Sequence, residues 1–336
     1  MSREPQPDDP VPDHTSDCDD NDDADSTFWE DCISATTSLD PDTIQKIDIY
    51  GREYTSVYEG VCSCTPTDKK YQRVMEYKDL IGMEEPCKII RRALQNGVIQ
   101  RVLDVGTGTG CWAIRLADQY PGAKVIGIDI APIQRSDGPP NVDFELDDCN
   151  KDWTWGPAHF GFVHVRNMTG NVGNWQRLFS QARDCTRAGG FIESVEDSML
   201  FAATSSDITL DPSLELWNQY LTEAGSLSKR SFNVVESNTQ EQSMRSAGIN
   251  IIKVEKQWVQ YNATLRALLL SDLDGVFNFP AKQLGWHSEK VSNFLSDVQK
   301  AIESQCGLLF RRTLVVGQVP KKSQPKSRAL APRTLV

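Results

Sequence analysis

Three glycines at alternate positions, Gly106, Gly108 and Gly110, punctuate the stretch DVGTGTGCWAI (104–114), and Asp104 stands two residues before the first of them. Glycine has no Cβ and tolerates unusual φ, so such a turn lets backbone approach a ligand closely. Which ligand depends on the spacing. A dinucleotide fingerprint needs glycines at the first, third and sixth positions, so that pyrophosphate sits on a helix N-terminus. Here the third glycine falls at the fifth position and Cys111 takes the sixth, which weakens that reading. A phosphate-cradling loop needs Lys followed by Ser or Thr after its last glycine, and Cys111-Trp112 stands there instead. The carboxylate of Asp104 would repel a pyrophosphate and attract a cation. S-adenosyl-L-methionine, a sulfonium carrying an α-amino group and no phosphate, meets these conditions.

Two further acidic positions extend the pattern. Asp129 closes the next apolar run, KVIGIDI, 19 residues past Gly110, where it could accept from both ribose hydroxyls. LDDC (146–149) closes the run after that, where Asp147 or Asp148 could accept from an adenine amino group. Thr107 and Ile130 flank these positions and join the candidate cofactor contacts. Methyl transfer is an in-line displacement that mostly requires alignment and exclusion of water. A base is needed only when the acceptor is not already deprotonated. His164, in FGFVHVR, is the nearest candidate, although strand alternation pairs it with Phe162 and fits a histidine packed against a helix equally well. His287 is a second candidate, placed to approach from a lid, and Glu193 and Glu196 could orient an acceptor.

The elements that must carry these residues follow from periodicity. From residue 101 onward, β-branched runs alternate with helix-period stretches, the pattern of an α/β fold with a mostly parallel sheet. Strands are predicted at 101–106, 124–130, 142–147, 160–166, 189–196, 249–259 and 308–319, seven in all. CWAIRLADQY and NWQRLFSQARDCTRAG read as helices, the second closing on its glycines. Val291, Phe294, Leu295, Val298 and Ile302 mark one face of a later helix. Insertions at about 204–235 and 262–287 read as helical lids. Their aromatics and neighbours, Trp217, Tyr220, Trp258, Tyr261, Phe277, Phe279 and Trp286, suggest an apolar pocket for a ring-bearing small molecule, with core packing as the alternative. Residues 28–100 read as a largely helical cap, in which Tyr50, Tyr54 and Tyr58 recur every four residues as packing side chains.

Composition sets the outer limits. The 336-residue chain has a formal charge of −12, but residues 1–31 hold twelve acids against one base, leaving the rest near neutral. That bias and its low apolar content predict a disordered acidic arm over residues 1–27. Residues 320–336 read as a basic disordered tail, a solvated end or a weak nuclear-import or acidic-partner signal. A nearly neutral body argues against nucleic acid as a partner. No apolar run approaches a bilayer span, and the nine cysteines form no disulfide or metal framework. Cys62-x-Cys64 reads as structural or incidental. These features predict an intracellular, cytoplasmic protein.

VLDVGTGTGCWAIRLADQYPGAKVIGIDIAPIQ, PPNVDFELDDCNKDWTW and HVRNMTGNVGNW, together with upstream YGREY and terminal VVGQVP, resemble the fungal LaeA-like methyltransferases over roughly residues 45–320. The resemblance implies a class I methyltransferase, a Rossmann-like three-layer sandwich with a seven-stranded sheet whose last strand is antiparallel. It implies bound S-adenosyl-L-methionine, with Asp104, Gly106, Gly108 and Gly110 at the methionine end, Asp129 at the ribose and Asp147 or Asp148 at the adenine edge. Arg166, Asn167 and Met168 would border the methyl group, Arg166 counting among both the cofactor-binding and the catalytic candidates. Gly161 departs from the acid common in the family, and YQRVMEYKDLIGM lacks the histidines often found there. Three functions are consistent with the resemblance. The first is methylation of a small molecule in fungal secondary metabolism. The second is a nuclear regulator of that metabolism acting with a velvet-type protein partner, and the third is a cofactor-binding scaffold that transfers nothing.

Overall fold

The computed structural model describes residues 39–321 except 59, 60, 82–84, 206 and 207. The acidic arm predicted over residues 1–27 and nearly all of the basic tail lie outside the described residues.

The central sheet is built from β4 (Arg101–Val105), β5 (Lys124–Asp129), β6 (Val142–Leu146), β7 (Phe160–Arg166), β8 (Thr186–Asp197), β10 (Asn250–Gln260) and β11 (Leu308–Gln318). Their spatial order is β10-β11-β8-β7-β4-β5-β6, and the two-residue β9 (Ala202–Ala203) pairs beside β11. The five strands from β4 to β8 run parallel, and β11 is antiparallel to both neighbours. All seven predicted strands are present. Chain order reverses direction beside β4, so a crevice opens at the carboxyl ends of β4 and β7, where ligands of open α/β sheets bind.

Helices cover both faces. On one side α2 (Lys88–Gln95) and α3 (Cys111–Gln119) bury Ile90, Leu94, Trp112 and Leu116 against Val102, Phe162 and Val316. On the other, α4 (Trp175–Cys185) and α6 (Thr239–Ser246) bury Leu178, Phe179 and Met244 against Leu103, Val163 and Ile192. Helix α4 starts on Asn174, whose side chain accepts from Arg177 N, satisfying one of the unpaired donors of the first turn. It ends at Cys185, short of the glycines expected to stop it, because Thr186 already enters β8.

The expectation of a largely helical cap over 28–100 needs correction. β1 (Gln45–Ile49), β2 (Arg52–Tyr58) and β3 (Val61–Cys62) form a separate antiparallel sheet, and among the described residues only a 3-10 turn at Pro41–Thr43 precedes the first α-helix, α1 (Lys69–Ile81). Tyr50 and Gly51, both with positive φ, form the two-residue turn that joins β1 to β2. A four-residue recurrence keeps a strand on one face as well as a helix, so the tyrosine spacing could not distinguish the two. Tyr54 is fully buried, as packing predicts.

The insertions form α5 (Pro212–Ser228), α7 (Ala263–Ser271) and α8 (Leu273–Gln283), followed by α9 (Ser288–Ser304). Trp217, Leu221, Phe277, Val291, Val298 and Ile302 share a second core with Ile49 and Tyr54 of the small sheet. The lid therefore packs on the cap, and together they roof the carboxyl end of the sheet. No helix among the described residues is long and apolar enough to cross a membrane.

Candidate functional site

The glycine turn follows β4 and leads into α3. Backbone N–H groups of Gly106 and Thr107 both donate to Ile128 O at 2.9 Å, tying the turn to β5. Gly106 has φ +70, and a Cβ there would overlap Met168 Sδ. Gly108 has φ +58, and a Cβ there would meet nothing within 4 Å. That empty space belongs to a cavity lined by Gly106, Gly108, Ile128, Asp129, Ile130, Asp147, Asp148, Asn150, Asn167 and Met168, roofed by Cys62, Ser63, Thr65 and Tyr71. Gly110 caps α3 and packs under Phe144, away from this lining.

Asp129 ends β5 with its carboxylate in the cavity, accepting from Gly108 N at 2.8 Å and Ala131 N at 3.0 Å. Burial pushes its carboxyl above the usual range. Each oxygen keeps a further lone pair that a ribose hydroxyl could meet. Asp147 and Asp148 follow β6, and Asp148 accepts from Asn150 N at 2.9 Å and Asn150 Nδ2 at 3.0 Å, which fixes the bend. A crevice with carboxylates on successive strand ends and a bare glycine backbone fits a neutral nucleoside bearing a cationic tail.

Several predicted residues stand elsewhere. Asp104 and Thr107 are buried behind the turn and bonded to each other, Thr107 Oγ1 donating to Asp104 Oδ2 at 2.8 Å. His164 lies on the same side of the sheet, stacked on Trp112 with ring centroids 3.7 Å apart, and lines neither this cavity nor the next. The alternation of β7 turns it toward α3, and with Glu193 it borders a separate small cavity beside Glu85 and Arg312. Arg166 donates to Asp79 of α1 at 2.6 Å and is held away from both linings. Met168 and Asn167 line the first cavity. His287 is exposed at the start of α9 and lines neither cavity.

A second cavity, about 210 Å³, adjoins the first. Its walls are mainly apolar, with Val74 and Met75 of α1, Met199, Phe201, Trp217, Leu265, Leu268, Leu269 and Phe310. Thr65, Tyr71 and Asn167 line both cavities. Of the aromatics singled out from sequence, Trp217 and Tyr261 reach this wall. Tyr220, Phe277 and Trp286 pack among themselves and Phe294, Phe279 lies beneath Arg230, and Trp258 is exposed on the face of β10.

At the polar end of the second cavity, Glu196 Oε1 accepts from Met168 N, and Oε2 accepts from Thr169 N and Thr169 Oγ1, at 2.7–2.9 Å. It thereby fixes the segment after β7 that separates the cavities. Burial outweighs those bonds and raises its carboxyl to about 7. Its neighbour Asp197 is held ionised by Arg312 at 2.6 Å and by Lys78. Ser63, Thr65 and Tyr71 were missed from sequence because they carry no motif. Only the fold-back of the small sheet brings them over the crevice. Cys62 and Cys64 are free thiols, and burial pushes that of Cys64 up to about 12, in line with an incidental pair.

A family model described as a methyltransferase domain matches residues 76–254, more than half of the chain. Methyltransferase pytC of Aspergillus terreus is 28% identical over 329 residues, 86% of this chain and 93% of that protein. Secondary metabolism regulator laeA of Aspergillus niger is 37% identical over 178 residues, 52% of this chain and 46% of that one. The chain thus spans about half the length of that regulator. Among solved structures, a phosphoethanolamine N-methyltransferase 2 of Haemonchus contortus in complex with S-adenosyl-L-methionine aligns at 17% identity with a TM-score of 0.41, covering 66% of this chain and 49% of that one.

Proposed function

The chain belongs to the methyltransferase-domain family and is an S-adenosyl-L-methionine-dependent methyltransferase of class I fold, and we propose that it methylates an apolar, ring-bearing small molecule held in the second cavity. The observation that carries this reading is the shared wall of Thr65, Tyr71 and Asn167 between a polar crevice and an apolar one. When bound, the cofactor supplies an electrophilic methyl group on a sulfonium.

The chain's own residues do the rest. The Gly106–Gly108 backbone, with Asn167 and Met168, would receive the methionine end. Asp129 would accept the ribose hydroxyls, Asp147 or Asp148 the adenine amino group, and Ile128 and Ile130 would pack on the base. Tyr71 and Asn167 stand where acceptor and methyl group meet, so their task is alignment, which is most of what an in-line displacement needs. Burial raises the Tyr71 phenol, keeping it a neutral donor at physiological pH. The apolar walls exclude water from the junction, and cap and lid close it from above.

The two relatives support different settings. The match to methyltransferase pytC along nearly its whole length favours an enzyme. The higher identity to laeA, over 52% of this chain, keeps a second reading, a regulator of secondary metabolism with a velvet-type partner and a nuclear location. The first reading assigns the protein to the cytoplasm. Screening ring-bearing metabolites for S-adenosylhomocysteine release tests the proposal. The expected result is turnover of at least one acceptor that Leu268→Trp, which fills the second cavity, abolishes while leaving S-adenosylhomocysteine affinity intact. Turnover unaffected by Leu268→Trp would contradict the acceptor site.

A further inference from the structure

We propose that His164 is a positioning residue for the cofactor turn, acting through Asp104; this rests on the cofactor reading above. Gly127, Asp104, His164 and Glu193 are register neighbours on β5, β4, β7 and β8. They form one row across the centre of the sheet, on the face covered by α2 and α3.

Along that row the polar groups are joined. His164 Nδ1 lies 2.9 Å from Asp104 Oδ1, and Thr107 Oγ1 donates to the other oxygen of the same carboxylate. Since the carboxylate accepts, Nδ1 carries the proton. Trp112 lies parallel to the imidazole within 7° and fixes its plane. On the far side, His164 Nε2 stands 4.0 Å from Glu193 Oε1, while Glu193 Oε2 accepts from Cys87 N at 2.8 Å at the start of α2. Gly127 completes the row by leaving space: a Cβ there would come within 2.7 Å of Thr107 Oγ1.

The consequence is mechanical. Asp104, His164 and Glu193 are all at most 4% exposed, and although His164 and Glu193 border a small cavity beside Glu85 and Arg312, Asp104 does not line it, so a donor removed from the Asp104 carboxylate is not replaced by bulk water. With both carboxylate oxygens engaged, Thr107 is pinned from behind, and Thr107 lies between the two glycines whose backbone faces the cofactor cavity. A flat ring stacked on Trp112 would satisfy packing alone. The row requires, in addition, a donor at the Nδ1 position.

The test is calorimetric titration of the full-length chain with S-adenosylhomocysteine, comparing His164→Asn, His164→Gln and Thr107→Val, with thermal midpoints recorded for each. Asn places an amide N–H where Nδ1–H stood, whereas Gln places it at the Nε2 position. His164→Asn is expected to bind within about threefold of the unaltered chain, and His164→Gln and Thr107→Val about tenfold more weakly, the scale of one lost hydrogen bond to a buried charged group. Nitrogen-15 spectra of the unliganded chain should show the Nδ1–H tautomer. Equal losses for Asn and Gln, undiminished binding by Gln, or an Nε2–H tautomer would overturn the assignment. Absence of binding by the unaltered chain would instead overturn the cofactor reading, and the tautomer would still decide whether the row exists.

Discussion

The polar cavity, proposed for the cofactor, has its floor in strand ends and a glycine turn within residues 104–168 and only its roof and rim from Cys62, Ser63, Thr65, Tyr71, Asn171 and Arg230, whereas the apolar cavity, proposed for the acceptor, draws its walls from α1, the end of β8, α5, α7, α8 and β11, scattered from Thr65 to Phe310. In the first, backbone conformation sets the geometry, and few side chains could be exchanged without closing the crevice. In the second, side chains set it, and the backbone only brings them near. A fold built this way can keep one cofactor while changing its acceptor by substitutions in the lid.

Separate stabilisation of the two regions can be broken experimentally, and the largest effect is expected in the roof. Arg52, almost fully buried on β2, donates to Asp68 and to Asp272 at 2.6 Å and pairs with Asp274 at 3.0 Å, tying the small sheet to α8. Arg52→Ala removes the main partner of the buried Asp272 carboxylate, leaving it only the longer 3.7 Å pairing with half-exposed Lys70, and should cost about 3–5 kcal/mol of stability. A denaturant titration would check this, and a loss below about 1 kcal/mol would show that the apolar core alone holds the roof.

Next comes the wall between the cavities. Glu196 rises from its ordinary 4.5 to about 7 in the folded chain. The folded state therefore holds a proton that the unfolded state releases between those values. Stability contributed by this group is full below about pH 4.5 and is lost as pH rises through about 7, a difference of about 3 kcal/mol. Stability of Glu196→Gln measured against pH should lack that decline, and a slope unchanged by the substitution would reject the assignment.

Within the cofactor region, Asp129→Ala should weaken S-adenosyl-L-methionine binding by about 1.5–3 kcal/mol, since it removes a charge-assisted acceptor. Unchanged affinity in the folded variant would remove Asp129 from the ribose site. The smallest change in stability is expected from Gly108→Ala, about 1–2 kcal/mol for a left-handed residue, because its Cβ meets no protein atom. That same Cβ enters the cavity, so affinity should fall more than stability does, and comparing thermal midpoint with calorimetric affinity separates the two.

The same contrast explains what the sequence revealed. The seven strands were legible because each is rich in β-branched or aromatic residues, as an apolar run in β4 and β7 or as alternation in β6 and β10, and Asp129, Gly106 and Gly108 could be placed because strand end and turn position them without help from elsewhere. His164 could be placed on a face by alternation, but not beside Asp104, since their contact depends on register between two strands 60 residues apart. The pairing of Arg166 could not be read locally because its partner, Asp79, comes from α1. Tyr71 and Thr65 depend on a hairpin turned by Tyr50 and Gly51, whose spacing reads equally well as helix. Long-range side-chain convergence leaves no local periodicity, and the acceptor cavity consists of little else.

The central claim is that the glycine turn and the strand-end carboxylates hold a sulfonium nucleoside and not a dinucleotide. Calorimetric titration of the full-length chain with S-adenosyl-L-methionine, S-adenosylhomocysteine and NAD as separate ligands tests it most directly. Micromolar binding of the first two and none of NAD is expected. Binding of NAD, or no binding of either sulfur ligand, would contradict it.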